Sequence, residues 1–231
     1  ALGAGASNRA SGYRASAVGY GNAASGGNST ALGRSNTAAA EASVAMGFYN
    51  SVNNDFASAV GRDNTAEGIE STALGNANYT GGMAAAAVGT ANGAYGDHTV
   101  AVGYGNRAHG DGSTAMGRNT NAEGSASSAL GVQSSALGLQ STAVGFANRA
   151  GGNNSAALGN AASAWGAGSL ALSSFASGEA SIDDLDLDGD GLGDASTGGA
   201  TAAGTRSIAV GWGVQARGDR SLAVGSSLQV E

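Results

Sequence analysis

The residues with the clearest chemical potential are six aspartates crowded into one short stretch, Asp183, Asp184, Asp186, Asp188, Asp190 and Asp194. Within it, Asp186, Asp188, Asp190 and Asp194 stand at positions 1, 3, 5 and 9 of a loop whose sixth residue is Gly191. A calcium loop needs that spacing: carboxylates on alternate residues converge on one cation, a glycine allows the sharp turn, and the seventh residue, here Leu192, offers its carbonyl. Oxygen donors without His or Cys favour a hard cation, and so many adjacent carboxylates repel unless an ion or wide solvation relieves them. The expected ligands for one structural Ca²⁺ are therefore Asp186, Asp188, Asp190, the Leu192 carbonyl and Asp194. A second frame opens at Asp184 with Gly189 at its turn. The competing reading is a solvated acidic loop, since position 12 is Thr197 where an acidic ligand is usual.

Other candidates are weaker. His98 and His109, with Asp97 and Asp111, could form a metal site but read more simply as surface polar residues. Arginines and aromatics, Tyr20, Arg34, Phe48, Arg62, Tyr104, Arg118, Phe146 and Trp212, share one repeat position and read as a layered cation–π ladder or a ligand-binding ridge. No Ser/His/acid or paired-carboxylate set has a supporting context, so the chain reads as non-catalytic.

What must hold these residues is a repeat. A large aliphatic residue between alanine and glycine recurs every fourteen residues, from Val18 through Leu32, Met46, Val60, Leu74, Val88, Val102, Met116, Leu130, Val144 and Leu158 to Leu172. It returns at Val210 and Val224. At Leu172 alone the following residue is not glycine but Ser173. An unbroken short period is the signature of a stacked architecture.

Numbering Ser58 as position 1, Ala59, Gly61, Ala66 and Gly68 occupy positions 2, 4, 9 and 11, Asn64 position 7 and Ser71 position 14. Glycine in each half would cost a helix roughly 1 kcal/mol per site, and only one residue per fourteen is large and apolar, so a coiled coil is excluded. Alternation closed by Gly, Asn and Ser reads as two short strands and two turns, with Asn and Gly supplying left-handed turn conformations.

Coils should stack at about 4.8 Å, some sixteen of them making a rod of roughly 75–80 Å. By parity the small residues at 2, 4, 9 and 11 line the interior. Position 3 then points outward as an aliphatic stripe, longer than a soluble monomer tolerates. A homotrimer with Val60, Leu74, Val88, Val102 and Met116 toward its axis is expected.

Irregularities are expected at two places. Leu2 and Gly3 read as the first marker, in a coil two residues long of standard. Near Leu170 the pattern reads as a twelve-residue coil closed by Ala176, Gly178 and Ser181. A new coil would then open at Ile182 and Ala195 around a twelve-residue insertion at 183–194, closing with Ala202, Gly204 and Ser207.

The chain has 231 residues, 42 of them glycine, with no proline and no cysteine. Its net charge is −7, and outside the acidic cluster eleven acids face ten arginines. No basic stripe suits nucleic acid and no amphipathic helix suits a membrane. With no initiator methionine, signal peptide or membrane span, it reads as one domain, residues 1–231, cut from a longer protein.

The runs Ser-Ala-Val-Gly and Thr-Ala-Leu-Gly, each followed about five residues later by Ala-x-Gly-x-x-Ser, resemble the YadA-like head repeats of trimeric autotransporter adhesins. The resemblance implies an all-β fold, a left-handed parallel β-roll, three chains side by side, and non-catalytic adhesion at a bacterial surface. The partner would be an extracellular matrix, glycan or cell-surface ligand. A stalk and outer-membrane anchor are implied outside this segment, as is a place in virulence. Position 1 departs from the family pattern, being often Ser or Thr instead of Val. The acidic insertion is not part of that pattern; it resembles thrombospondin type 3 calcium repeats and EF-hand-like loops, without their flanking cysteines or helices. A phage or secreted trimeric fibre module, acting as spacer or receptor-binding shaft, is the alternative.

Overall fold

The computed structural model describes residues 1–173, 199–226 and 228–230. Every regular element among them is a β-strand, and every pairing is parallel. The chain divides into two compact units, Ala1–Gly112 and Ser113–Glu231. Each is a stack of coils with one five-residue and one two-residue strand per typical coil, such as Ser58–Arg62 and Thr65–Ala66. Long strands pair only with long strands and short with short, forming two facing parallel sheets in each unit. The register is the repeat itself: Ser58 faces Thr72, and Thr72 faces Ala86. The fold is thus an all-β parallel solenoid of fourteen-residue coils.

Between the two sheets the interior is a column of alanine. Positions 2 and 9 are completely buried, from Ala17 and Ala24 to Ala209 and Ala216, with Val52 and Thr80 as the larger exceptions. The thin interior explains the glycines. A Cβ at Gly61 would overlap the Gly75 carbonyl oxygen in the next coil, and one at Gly68 would overlap that of Gly82. Gly61 also has φ +120°, a conformation that L side chains rarely adopt.

Position 7 departs from expectation. Its asparagines are not turn residues in left-handed conformation; they are buried and form a hydrogen-bonded ladder. Asn64 donates its backbone N–H (3.1 Å) and its Nδ2 (2.9 Å) to Asn50 Oδ1. The same Nδ2 reaches the Val60 and Gly75 carbonyls at 3.1 and 2.8 Å. Asn64 Oδ1 then accepts the N–H and Nδ2 of Asn78, each at 3.0 Å. The pattern runs through Asn22, Asn36, Asn50, Asn64, Asn78 and Asn92 in the first unit, each buried.

The left-handed turns lie instead at positions 6 and 13, occupied by residues as varied as Asp63 (φ 52°), Glu70 (φ 59°), Ala84 (φ 52°) and Phe56 (φ 57°). A left-handed L-residue costs roughly 1–2 kcal/mol. The cost is met by ladder hydrogen bonds that only this shape permits, such as Asp63 N–H to Phe48 O at 2.9 Å and Ala84 N–H to Ile69 O at 2.8 Å.

Two expectations of register are corrected. Leu2 pairs with Ser16 and Ala4 with Val18, so Leu2 is at position 1 and the first coil has the standard length. Asn8, Ala10 and Gly12 fall at positions 7, 9 and 11 as the repeat requires. At the other irregularity, Leu170 pairs with Ile208 and Ser163 with Thr201, each thirty-eight apart in place of fourteen. The twenty-four additional residues therefore belong to a single coil, between its strand Leu170–Ser173 and its strand Thr201–Ala202. Ala176, Gly178, Ser181, Ile182 and Ala195 lie outside the described residues, and the rungs expected for them are taken by Thr201, Ala202, Ile208 and Ala209.

Candidate functional site

Position 3 points out of the long strands, because the alanines on either side fill the interior. Val60, Leu74, Val88 and Val102 stand in register on consecutive strands, none of them buried, with Leu74 43 % exposed. In the second unit Met116, Leu130, Val144, Leu158, Leu172, Val210 and Val224 repeat the stripe. There position 1 also becomes apolar on three successive strands, Leu170, Ile208 and Leu222, the last 61 % exposed. The outward apolar face is therefore two residues wide over those strands.

The expected ridge at position 5 is real only in part. The Arg34 guanidinium lies 5.8 Å from the Tyr20 ring and 5.4 Å from the Phe48 ring, a layered triplet on three neighbouring strands. Arg62 instead turns to its neighbour Asp63 at 3.0 Å, fully in solvent reach. Tyr104 stands beside Thr90, and Phe146 between Val132 and Asn160, so the pattern does not continue.

On the short-strand face the structure assembles a group that the repeat reading overlooked. Tyr95 and His109 stack with ring centroids 4.3 Å apart and planes 14° from parallel, and Tyr79 joins at 5.3 Å. The residue two along the strand is glycine in each tyrosine coil, Gly81 and Gly93. A Cβ at Gly93 would collide with the Tyr95 ring. Tyr79 Oη donates to Glu67 Oε2 at 2.8 Å. That bond, then partial burial, pushes the Tyr79 phenol above its ordinary value. The signal was present as Tyr at position 8 over Gly at 10, followed by the reverse, but it is visible only once the two positions are known to share a face.

The structure does not gather the histidine–aspartate set into one cluster of three or more ligands. Asp97 Oδ1 accepts the Met83 N–H (2.8 Å) and Asp111 Oδ1 accepts the Asp97 N–H (3.0 Å), so both carboxylates are committed to backbone in the turn below. His98 is a left-handed turn residue, and His109 is in the ring stack. Among the described residues no group of three His, Cys, Asp or Glu could hold a metal. Asp186, Asp188, Asp190, Leu192 and Asp194 lie outside the described residues.

The decisive comparison is with the YadA head domain repeat, whose family model matches residues 10–35, 24–50, 53–78, 81–106, 94–120, 108–131, 122–148, 150–172 and 198–213. The chain belongs to the YadA head repeat family. It is thus a structural, adhesin-type module, and the matched segments follow the coils seen here on both sides of the long insertion. No curated protein matches the sequence. Among the described residues of this YadA-type head, no helix is long and apolar enough to cross a membrane.

Proposed function

We propose that this chain is the head segment of a homotrimeric bacterial surface adhesin, attached through regions outside the segment and binding a matrix, glycan or cell-surface partner. The observation that carries the reading is the aliphatic stripe at position 3: a regular apolar row that the solenoid's own interior has no room for. Three copies packed through that face would bury it, leaving the short-strand face with Glu67, Tyr79, Tyr95 and His109 turned to solvent. Sedimentation equilibrium at micromolar concentration tests this. A trimer is expected, and a stable monomer sinks the reading. Val88→Asp should dissociate the trimer while leaving the coil folded, because Val88 points outward and an unpaired charge buried in each of three chains is costly.

A bound Ca²⁺ in the acidic segment is the second part of the proposal, supported by carboxylate spacing alone. Calorimetry on metal-stripped protein should show uptake with affinity on the order of 10⁻⁴ to 10⁻³ M, strengthening as pH rises through the carboxylate range. Asp188→Ala with Asp190→Ala should abolish it; equal uptake by wild type and variant would make the segment acidic decoration only.

A further inference from the structure

The turns after the short strands Thr201–Ala202 and Gln215–Ala216 carry a feature that neither the repeat nor the trimer uses. Thr205, Arg206, Asp219 and Arg220 line an open cleft of about 390 Å³. Arg206 and Arg220 occupy the same coil position on neighbouring coils, both left-handed at φ 57° and 59°, so their side chains leave the backbone in the same direction one coil apart. The base beneath them is clamped. Asp219 Oδ1 accepts the Thr205 N–H at 2.8 Å, and the Arg220 N–H donates to the Thr205 carbonyl at 2.9 Å. No carboxylate lies within ion-pairing distance of either guanidinium among the described residues, where the single ion pair is Arg62–Asp63. Two like charges thus line one concave surface from neighbouring coils, with the Asp219 carboxylate already hydrogen-bonded to backbone.

We propose that this cleft binds a tetrahedral oxyanion ester, a sulfate or phosphate group on a larger ligand, gripped by Arg206 and Arg220 with the Thr205 hydroxyl at its floor. Guanidinium presents paired N–H donors in a planar fork that matches such oxygens, and an anion between two arginines removes their mutual repulsion. With Asp219 offsetting one of the two positive charges, the lining is left net positive by about one charge, and a tetrahedral ester suits it better than a carboxylate because its three terminal oxygens can serve two arginine forks. The site stands apart from the trimer reading: it needs one chain only.

Calorimetry on the whole chain tests it, in low-salt buffer free of phosphate, with a sulfated disaccharide and with glucose 6-phosphate, each against its unsubstituted sugar. The charged probes should bind and the neutral sugars should not. Preference for the sulfated disaccharide assigns the group to a sulfated glycan, and preference for the sugar phosphate assigns it to a phosphate monoester. Arg206→Gln with Arg220→Gln should weaken binding by about tenfold or more, and Arg206→Lys with Arg220→Lys should weaken it less while raising its salt dependence. Asp219→Asn should tighten it several-fold, since an amide oxygen can keep the Thr205 clamp, as Asn153 Oδ1 does for the Leu139 N–H at 3.0 Å. Arg62→Gln, which removes an arginine that does not line the cleft, should change nothing. The proposal is overturned if neither charged probe binds at millimolar concentration, or if the double Gln variant binds as wild type. Sedimentation of the same variants separates this outcome from the trimer question.

Discussion

Single residues matter here to the extent that they link one coil to the next. Asn64 does so in both directions, and Asn64→Ala would leave the buried Asn78 N–H without its acceptor and take one donor from each of the Val60 and Gly75 carbonyls. An unsatisfied buried group costs about 1–3 kcal/mol, so a loss of about 3 kcal/mol is expected by urea unfolding with partial relaxation. The second unit shows what relaxation looks like: Ser134 stands at position 7, and the Asn148 N–H of the next coil reaches its shorter Oγ at 3.4 Å. A cost below about 0.5 kcal/mol would mean the ladder is ornamental. Tyr79 makes the second residue-scale prediction. Its folded phenol pKa is raised, chiefly by the bond to Glu67, so the native state favours the protonated ring. The stabilisation is therefore fully present below the unfolded tyrosine value of about 10 and is lost as pH climbs through the higher folded value. In an ultraviolet titration Tyr79 should ionise late, and Glu67→Gln should return it toward the ordinary phenol value; an unchanged titration in that variant would refute the assignment.

At the scale of strand and turn, positive φ has two different meanings in one coil. At position 4 it comes with a neighbouring carbonyl where a Cβ would be, so Gly61→Ala should destabilise strongly, by 3 kcal/mol or more, on the order expected for strain added to overpacking. At position 13 the space is open and only the backbone preference is unmet. Ala84→Gly should therefore stabilise, by up to about 1 kcal/mol once the added freedom of the unfolded chain is deducted. Matched urea melts of the two variants check both signs. This difference also separates what could be read from the sequence from what could not. Gly61 and Ala59 are constrained by sterics, so period, strand parity and the outward stripe are all legible. Positions 6 and 13 accept Asp63, Ala84 or Phe56 because hydrogen bonds to the neighbouring coil, not the side chain, hold the turn. Asn64 looked like a turn former for the same reason: its asparagine partners, Asn50 and Asn78, are fourteen residues away. The first coil was misread because Leu2 and Gly3 imitate the marker pair, although Asn8, Ala10 and Gly12 already held the true register. The long insertion was misplaced because Ala176, Gly178 and Ser181 fit the pattern locally, whereas the pairing of Ser163 with Thr201 is a non-local fact.

For the whole molecule, the proposed trimer should not be held equally along its length. Where position 1 is Ser58, Thr72 or Thr114, the outward face offers one aliphatic side chain per coil; where it is Leu170, Ile208 and Leu222, it offers two. Fully burying one such side chain contributes about 1.5–3 kcal/mol, and in a trimer each counts three times, so even partial burial at Ile208 and Leu222 outweighs several hydroxyl-bearing coils. These two side chains project outward, 37 % and 61 % exposed in the single chain, so changing them leaves the alanine interior intact. Ile208→Ser with Leu222→Ser should therefore raise the trimer's dissociation concentration by about a hundredfold or more while moving the far-ultraviolet spectrum little. Ser58→Ala with Thr72→Ala should leave association within about threefold of wild type, since little apolar area changes. Analytical ultracentrifugation across a dilution series reads both. If the two double variants dissociate alike, association does not follow apolar area on the long-strand face, and another surface of the solenoid must hold the copies together.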